Sequence, residues 1–116
     1  MSTNLSTIEF ITDQLASLDG IVARKMFGEY ALYVGTKVIG LVCNDTLYIK
    51  ITEAGREFVE EEYKEGIAYP GARPSLEIDS DLIEDRQWLC ALVVLTADNL
   101  PIPKPKKLKK YSASGL

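Results

Sequence analysis

The stretch Tyr30-Ala31-Leu32-Tyr33-Val34-Gly35-Thr36-Lys37-Val38-Ile39-Gly40-Leu41-Val42-Cys43-Asn44-Asp45-Thr46-Leu47-Tyr48-Ile49-Lys50-Ile51 decides the fold. Its side chains alternate with a period of two, the signature of extended strands. Tyr30, Leu32 and Val34 alternate with Ala31 and Tyr33. Val38, Gly40 and Val42 alternate with Ile39, Leu41 and Cys43. Leu47, Ile49 and Ile51 alternate with Tyr48 and Lys50. Between these runs lie Gly35-Thr36 and Asn44-Asp45, each long enough only for a tight hairpin turn. Turns this short force neighbouring strands to run antiparallel. The pattern therefore predicts Val22–Val34, Lys37–Cys43 and Thr46–Ile51 as consecutive antiparallel neighbours. The first of these is long, and Gly28 in its middle marks either a bulge or a break into two shorter strands with Gly28-Glu29 between them.

Upstream the period changes. Leu5, Ile8, Ile11, Leu15 and Leu18 fall on one face of a helix. Ser6 and Glu9 have the spacing of a capping box, with Leu5 and Phe10 at the positions of a hydrophobic staple. Asp19-Gly20 ends the helix, because glycine takes the left-handed conformation without a Cβ clash.

Downstream, Thr52 reads as the N-cap of a second helix. Glu53 sits at its positive end, and Ala54, Phe58 and Tyr63 form a narrow apolar face. Glu60-Glu61-Glu62 faces solvent and Gly66 ends the segment. Two short strands follow, around Ile67-Ala68-Tyr69 and at Ser75–Ile78, separated by the loop Pro70-Gly71-Ala72-Arg73-Pro74. Asp79, Ser80 and Asp81 are turn and cap residues. A third helix opens at Glu84 or Asp85 and runs to about Asn99, where Leu100-Pro101-Ile102-Pro103 stops it. Trp88, Leu92 and Leu95 share one face, with Leu89 and Val93 beside them. Burial of Trp88 on that face would make its truncation cost about 3–5 kcal/mol.

The expected architecture is α+β: a two-layer α-β(3)-α-β(2)-α domain, an antiparallel sheet with helices mainly on one face and the first and third helices together. Residues 1–103 form that domain and 104–116 a Lys-rich, disordered tail. A chain of 116 residues is long enough for one such core.

Charge is unevenly placed. Five of the 13 basic residues are Lys104, Lys106, Lys107, Lys109 and Lys110; the other eight face 17 acidic ones. The body thus carries −9 and the tail +5, which leaves the net −4. An acidic body repels nucleic-acid phosphate, so only the tail is expected to attract it, weakly and without sequence preference. The longest apolar run, Leu89–Leu95, is far below the ~18–20 residues of a membrane span. The first residues lack the form of a secretory signal. These features point to a cytoplasmic, membrane-free protein.

Chemistry is sparse. There is no histidine and there are only two cysteines, Cys43 and Cys90, in separate elements. Two thiols do not complete a tetrahedral zinc shell, and the familiar histidine-based triads are excluded. Neither phosphate-binding glycine motif occurs. Asp79, Asp81, Glu84 and Asp85 could in principle hold a divalent cation, but they read as helix caps and a solvated turn. No catalytic residue, metal ligand or cofactor site is expected, and the chain reads as a binding protein.

The candidate surface is Arg24-Lys25-Met26-Phe27-Gly28-Glu29-Tyr30, extended to Tyr33. Adjacent cations, a flexible methionine, an aromatic and a permissive glycine suit a partner-binding edge, here Arg24, Lys25, Met26, Phe27, Gly28, Tyr30 and Tyr33. The same composition also suits a bent edge strand guarded by cations against pairing with other chains. The tyrosines resemble a stacking platform for single strands only superficially, because the cationic groove is lacking.

The run Arg24-Lys25-Met26-Phe27-Gly28-Glu29-Tyr30-Ala31-Leu32-Tyr33 resembles the N-terminal domain of the TfoX/Sxy family of bacterial competence regulators. The strand ending Cys43-Asn44-Asp45 fits that family too, as do Leu47-Tyr48-Ile49-Lys50, the helix from Thr52, Tyr69-Pro70 and the closing helix after Asp81. The resemblance spans about Leu5 to Lys110. It implies the same α-β(3)-α-β(2)-α fold. It also implies a non-catalytic role in regulating transcription of DNA-uptake genes, through contact with a protein partner such as the transcription machinery. Full-length members carry a second, helical domain, so a stand-alone form is expected here. Two other readings stand beside it: a nucleic-acid-associated protein acting through its Lys tail, and a small chaperone-like homodimer that binds extended segments. Monomer and homodimer are both compatible with the sequence.

Overall fold

In the computed structural model, which describes residues 3–102, the decisive stretch folds as three consecutive antiparallel strands. They are β2 (Glu29–Val34), β3 (Lys37–Cys43) and β4 (Thr46–Ile49). The long first strand expected at Val22–Val34 is instead a hairpin. Strand β1 (Ile21–Met26) turns at Phe27-Gly28 and pairs antiparallel with β2, from Ile21 opposite Val34 to Met26 opposite Glu29. The turn needs positive φ at both central residues, and Phe27 at 51° and Gly28 at 83° supply it. Of the two readings of Gly28, the break into two shorter strands is the one the chain adopts, with the turn at Phe27-Gly28 rather than Gly28-Glu29, because phenylalanine is a poor signal for that conformation.

The bulge lies one strand further on. Register runs from Leu32 opposite Gly40 to Tyr33 opposite Val38, so Ile39 is the extra residue. A Cβ on Gly40 would run into the Tyr48 carbonyl oxygen. Glycine there lets the strands close up while Ile39 takes the core position and is fully buried.

After β4 come α2 (Glu53–Val59), a 3₁₀ turn (Glu60–Glu62), β5 (Glu65–Gly66) and β6 (Ser75–Ile78). The first short strand falls at Glu65–Gly66 rather than at Ile67-Ala68-Tyr69. The six strands order as β1-β2-β3-β4-β6-β5, every pairing antiparallel. One face carries Leu32, Ile39, Val42, Leu47, Ile49, Leu76 and Ile78 into a single core with residues of every α-helix. Each such buried aliphatic side chain contributes about 1.5–3 kcal/mol. The expected α+β, two-layer arrangement is what the chain adopts.

The helices depart from expectation in detail. α1 (Leu5–Gln14) starts at Leu5 itself, so Ser6 and Glu9 form no capping box, and Leu5 and Phe10 are both exposed. Its N-terminus is held from outside, by the carboxylate of Asp45 in the β3–β4 turn. That carboxylate accepts the Asn4 N–H at 2.8 Å, Asn4 Nδ2 at 3.2 Å and the Thr7 hydroxyl at 2.8 Å. A negative charge is favourable there.

At the other end of α1, the buried Gln14 donates to the carbonyl of Ile83 at 2.8 Å and accepts from Arg86 at 3.1–3.2 Å. It thereby ties α1 to the junction of α3 (Ser80–Ile83) and α4 (Arg86–Asp98).

Two caps appear where the residue types placed them. Thr52 Oγ1 accepts from Gly55 N–H at 2.9 Å, and Asp85 Oδ1 from Trp88 N–H at 3.1 Å. On α4 the core stripe is Leu89, Leu92, Val93 and Thr96, rotated from the expected Trp88–Leu92–Leu95 face. Trp88 is only half-buried, tilted against Phe58 with ring centroids 5.7 Å apart. Its truncation should therefore cost less than full burial implied, about 2–3 kcal/mol.

Candidate functional site

The pleat divides the candidate residues between two faces. Lys25 pairs with Tyr30 on the helix-covered side, where Tyr30 packs against the core. Arg24, Met26 and Tyr33 point to the opposite face. No helix among the described residues covers that face, because the core draws on the other one. The Arg24 guanidinium lies 5.5 Å from the Tyr33 ring centroid, a cation–π contact across the hairpin. Phe27 and Gly28 form the tip.

Around this edge the apolar surface is open. Phe27 is 98% exposed and Met26 40% exposed. Val22, which the sequence reading did not include, is exposed in the same row as Tyr33 and Val38. The next row, Arg24–Ala31–Leu41–Tyr48–Glu77, crosses the sheet. Period-two alternation groups Val22 with Tyr33 and Val38, once Val22–Val34 is divided at Phe27-Gly28, and groups Leu41 with Tyr48; the bulge at Ile39 hides that the two groups share a face.

The base of the tip is anchored by polar bonds. The Glu29 carboxylate accepts the Thr3 hydroxyl at 2.6 Å and the Asn44 N–H at 3.0 Å. Gly28 accepts the Thr3 N–H at 3.1 Å. Cys43 is buried beside this network. Desolvation, and secondarily the charge of Glu29, raise its thiol pKa above the ordinary value. Cys90 is half-buried, 3.3 Å from the Gln14 carbonyl oxygen.

The acidic residues near α3 have structural partners: Asp79 pairs with Lys64 at 3.1 Å, and Asp85 caps α4. Among the described residues no group of three or more His, Cys, Asp or Glu side chains is placed to hold a metal ion. Also among them, no helix is long and apolar enough to cross a membrane. The five tail lysines, and with them the tail-binding expectation, lie outside the described residues.

A single antiparallel sheet with the described helices on one face, a helix-free opposite face among those residues and an aromatic-tipped hairpin at its edge defines a small two-layer α+β domain. The TfoX N-terminal domain family matches residues 13–100, and the chain belongs to that family. It is also 41% identical over 109 residues to a protein of Spirochaeta aurantia described as an uncharacterized 12.7 kDa protein in the trpE 5′ region. That match covers 94% of this chain and 93% of the relative.

Proposed function

We propose that this chain is a non-catalytic docking module, and that the β1–β2 hairpin is where it meets a protein partner. One observation carries the reading: Phe27 is almost wholly exposed and sits at φ 51°. A non-glycine residue in that region costs about 1–2 kcal/mol, and a solvent-exposed ring returns nothing to folding. Asparagine would suit the turn better. A strained, exposed aromatic beside Met26, Arg24 and Lys25 has the composition of a binding hot spot. Family membership supports a regulatory setting, and control of DNA-uptake gene transcription is the form of it that the resemblance suggests.

The test uses a substitution that should improve the fold. Immobilised wild-type chain and Phe27→Asn are exposed to lysate, with crosslinking, and the retained proteins compared. The reading expects a protein that is captured by the wild type, lost with Phe27→Asn and with Lys25→Glu/Phe27→Ala, and kept when the chain is cut after Pro103. Because Phe27→Asn should melt later than the wild type, lost capture is not lost folding. Equal capture by all variants would remove the hairpin from the interface.

A further inference from the structure

The opposite end of the open sheet face carries a trough. Val34 pairs with Lys37 at that end, whereas Phe27-Gly28 and Asn44-Asp45 turn at the other. The larger part of the trough, about 680 Å³, lies between the strands and the loop around Tyr69 and Arg73, over Val38, Leu41 and Ile51. A smaller part of about 430 Å³ continues past Lys37 toward Ile102. The two share Val38, Lys50 and Leu100, so they adjoin and together make an elongated concave stretch.

Its charge is the reverse of the body's. The charged residues lining it are Lys50, Arg73 and Lys37; no carboxylate of the described residues does so. Lys37 is engaged, donating to the Ala97 carbonyl at 2.7 Å at the end of α4. Lys50 and Arg73 are exposed. Among the described residues neither has an ion-pair partner; the pairs there belong to Lys64 and Arg86. Two unneutralised cations over an apolar floor, on a body of charge −9, call for an amphipathic anion.

The chain's own basic segments do not qualify. The Arg24-Lys25 hairpin of a second copy and the five tail lysines have the same sign as the trough. The elongated shape suits an extended chain better than a compact ligand.

We propose that this trough binds an extended acidic segment of a partner protein, with apolar side chains on Val38, Leu41 and Ile51 and carboxylates at Lys50 and Arg73. The site is separate from the hairpin and does not depend on it.

The probe is a fluorescent peptide of about eight residues, alternating Glu and Leu, which spans roughly 26–29 Å when extended. Anisotropy should show saturable binding that weakens with added salt. Lys50→Glu/Arg73→Glu should weaken it by about tenfold or more, since each contact changes from attraction to repulsion. Phe27→Ala should leave it unchanged. Both reversed positions are exposed, and a urea melt checks that the fold is kept; Lys50→Gln/Arg73→Gln is the milder variant if it is not.

Four results would overturn the proposal: no saturation up to about 1 mM peptide, equal binding of the Gln-for-Glu peptide, no loss on charge reversal, or loss with Phe27→Ala. Tighter binding of a single-stranded oligonucleotide, abolished by the same reversal, would assign the trough to nucleic acid instead. Self-association that the reversal abolishes would assign it to a second copy.

Discussion

Two hairpin turns at the same end of the sheet solve one backbone problem in opposite ways. Phe27-Gly28 and Asn44-Asp45 each put both central residues at positive φ: 51° and 83° in the first, 52° and 61° in the second. Asn and Asp tolerate that region well and phenylalanine does not. The second turn is also worked into the fold, with Asp45 gripping Asn4 and Thr7 at the start of α1. The first has its base held by Thr3 and its tip exposed. Where a turn serves folding, residue type and tertiary bonding agree. At Phe27 they disagree: an exposed aromatic ring occupies a conformation that its residue type disfavours.

The largest expected effect would break the clamped turn. Asp45→Ala removes three charge-assisted hydrogen bonds and, with them, the carboxylate that bonds to the α1 N-terminus. It should lower stability by about 2 kcal/mol in urea melts. A loss below about 0.5 kcal/mol would mean the clamp is decorative and the contrast unsound.

Next comes an exchange of chemistry between the turns. Phe27→Asn should raise stability by about 1 kcal/mol, and Asn44→Phe should lower it by about the same. If Phe27→Asn destabilises, the ring contributes to the fold and its claim on a partner weakens.

Glu29 links the two turns, through Thr3 and Asn44. Glu29→Gln keeps the shape and loses the charge, and should cost about 0.5–1 kcal/mol. Amide exchange at Asn44 should quicken more than at Phe27.

The smallest effect is on pH. The folded-state pKa of Cys43 is raised, so the unfolded chain releases its thiol proton first. Stability is then unaffected below the unfolded pKa and falls as pH rises from about 8.5 toward the folded value. Tyr48, raised by desolvation and then by Glu77, adds a similar loss at higher pH. Cys43→Ala should flatten the first part of that decline. An unchanged alkaline profile would show that the thiol beside the clamped turn does not titrate differently on folding.

Much of the site was legible and unevenly so. Arg24 to Tyr33 stood out by composition, yet composition does not say which way a side chain points. Taking Val22–Val34 as one strand hides the reversal at Phe27-Gly28. With that reversal in place, Tyr30 faces the core while Met26 and Val22 join the open face. Lys50 and Arg73, 23 positions apart, came to line one trough only through the pairing of β4 with β6.

What the sequence determined by itself was local: the period-two runs, the turns at Gly35-Thr36 and Asn44-Asp45, the caps at Thr52 and Asp85, and the α+β class that follows from their order. Such features depend on residues a few positions apart, whose geometry is nearly independent of the rest of the chain. Only the tertiary structure decided what caps α1, which stripe of α4 is buried and what Gln14 does. The α1 clamp joins residues 41 positions apart, and the Gln14 bond to Ile83 joins residues 69 apart. Ser6 and Glu9 had the right spacing for a cap, but the helix begins two residues earlier, at Leu5 with Asn4 as its N-cap, where Asp45 reaches Asn4 and Thr7 from the sheet. A carboxylate held there by the hairpin takes the N-cap N–H that the local box would have taken, and no short-range pattern in the chain records that it will arrive.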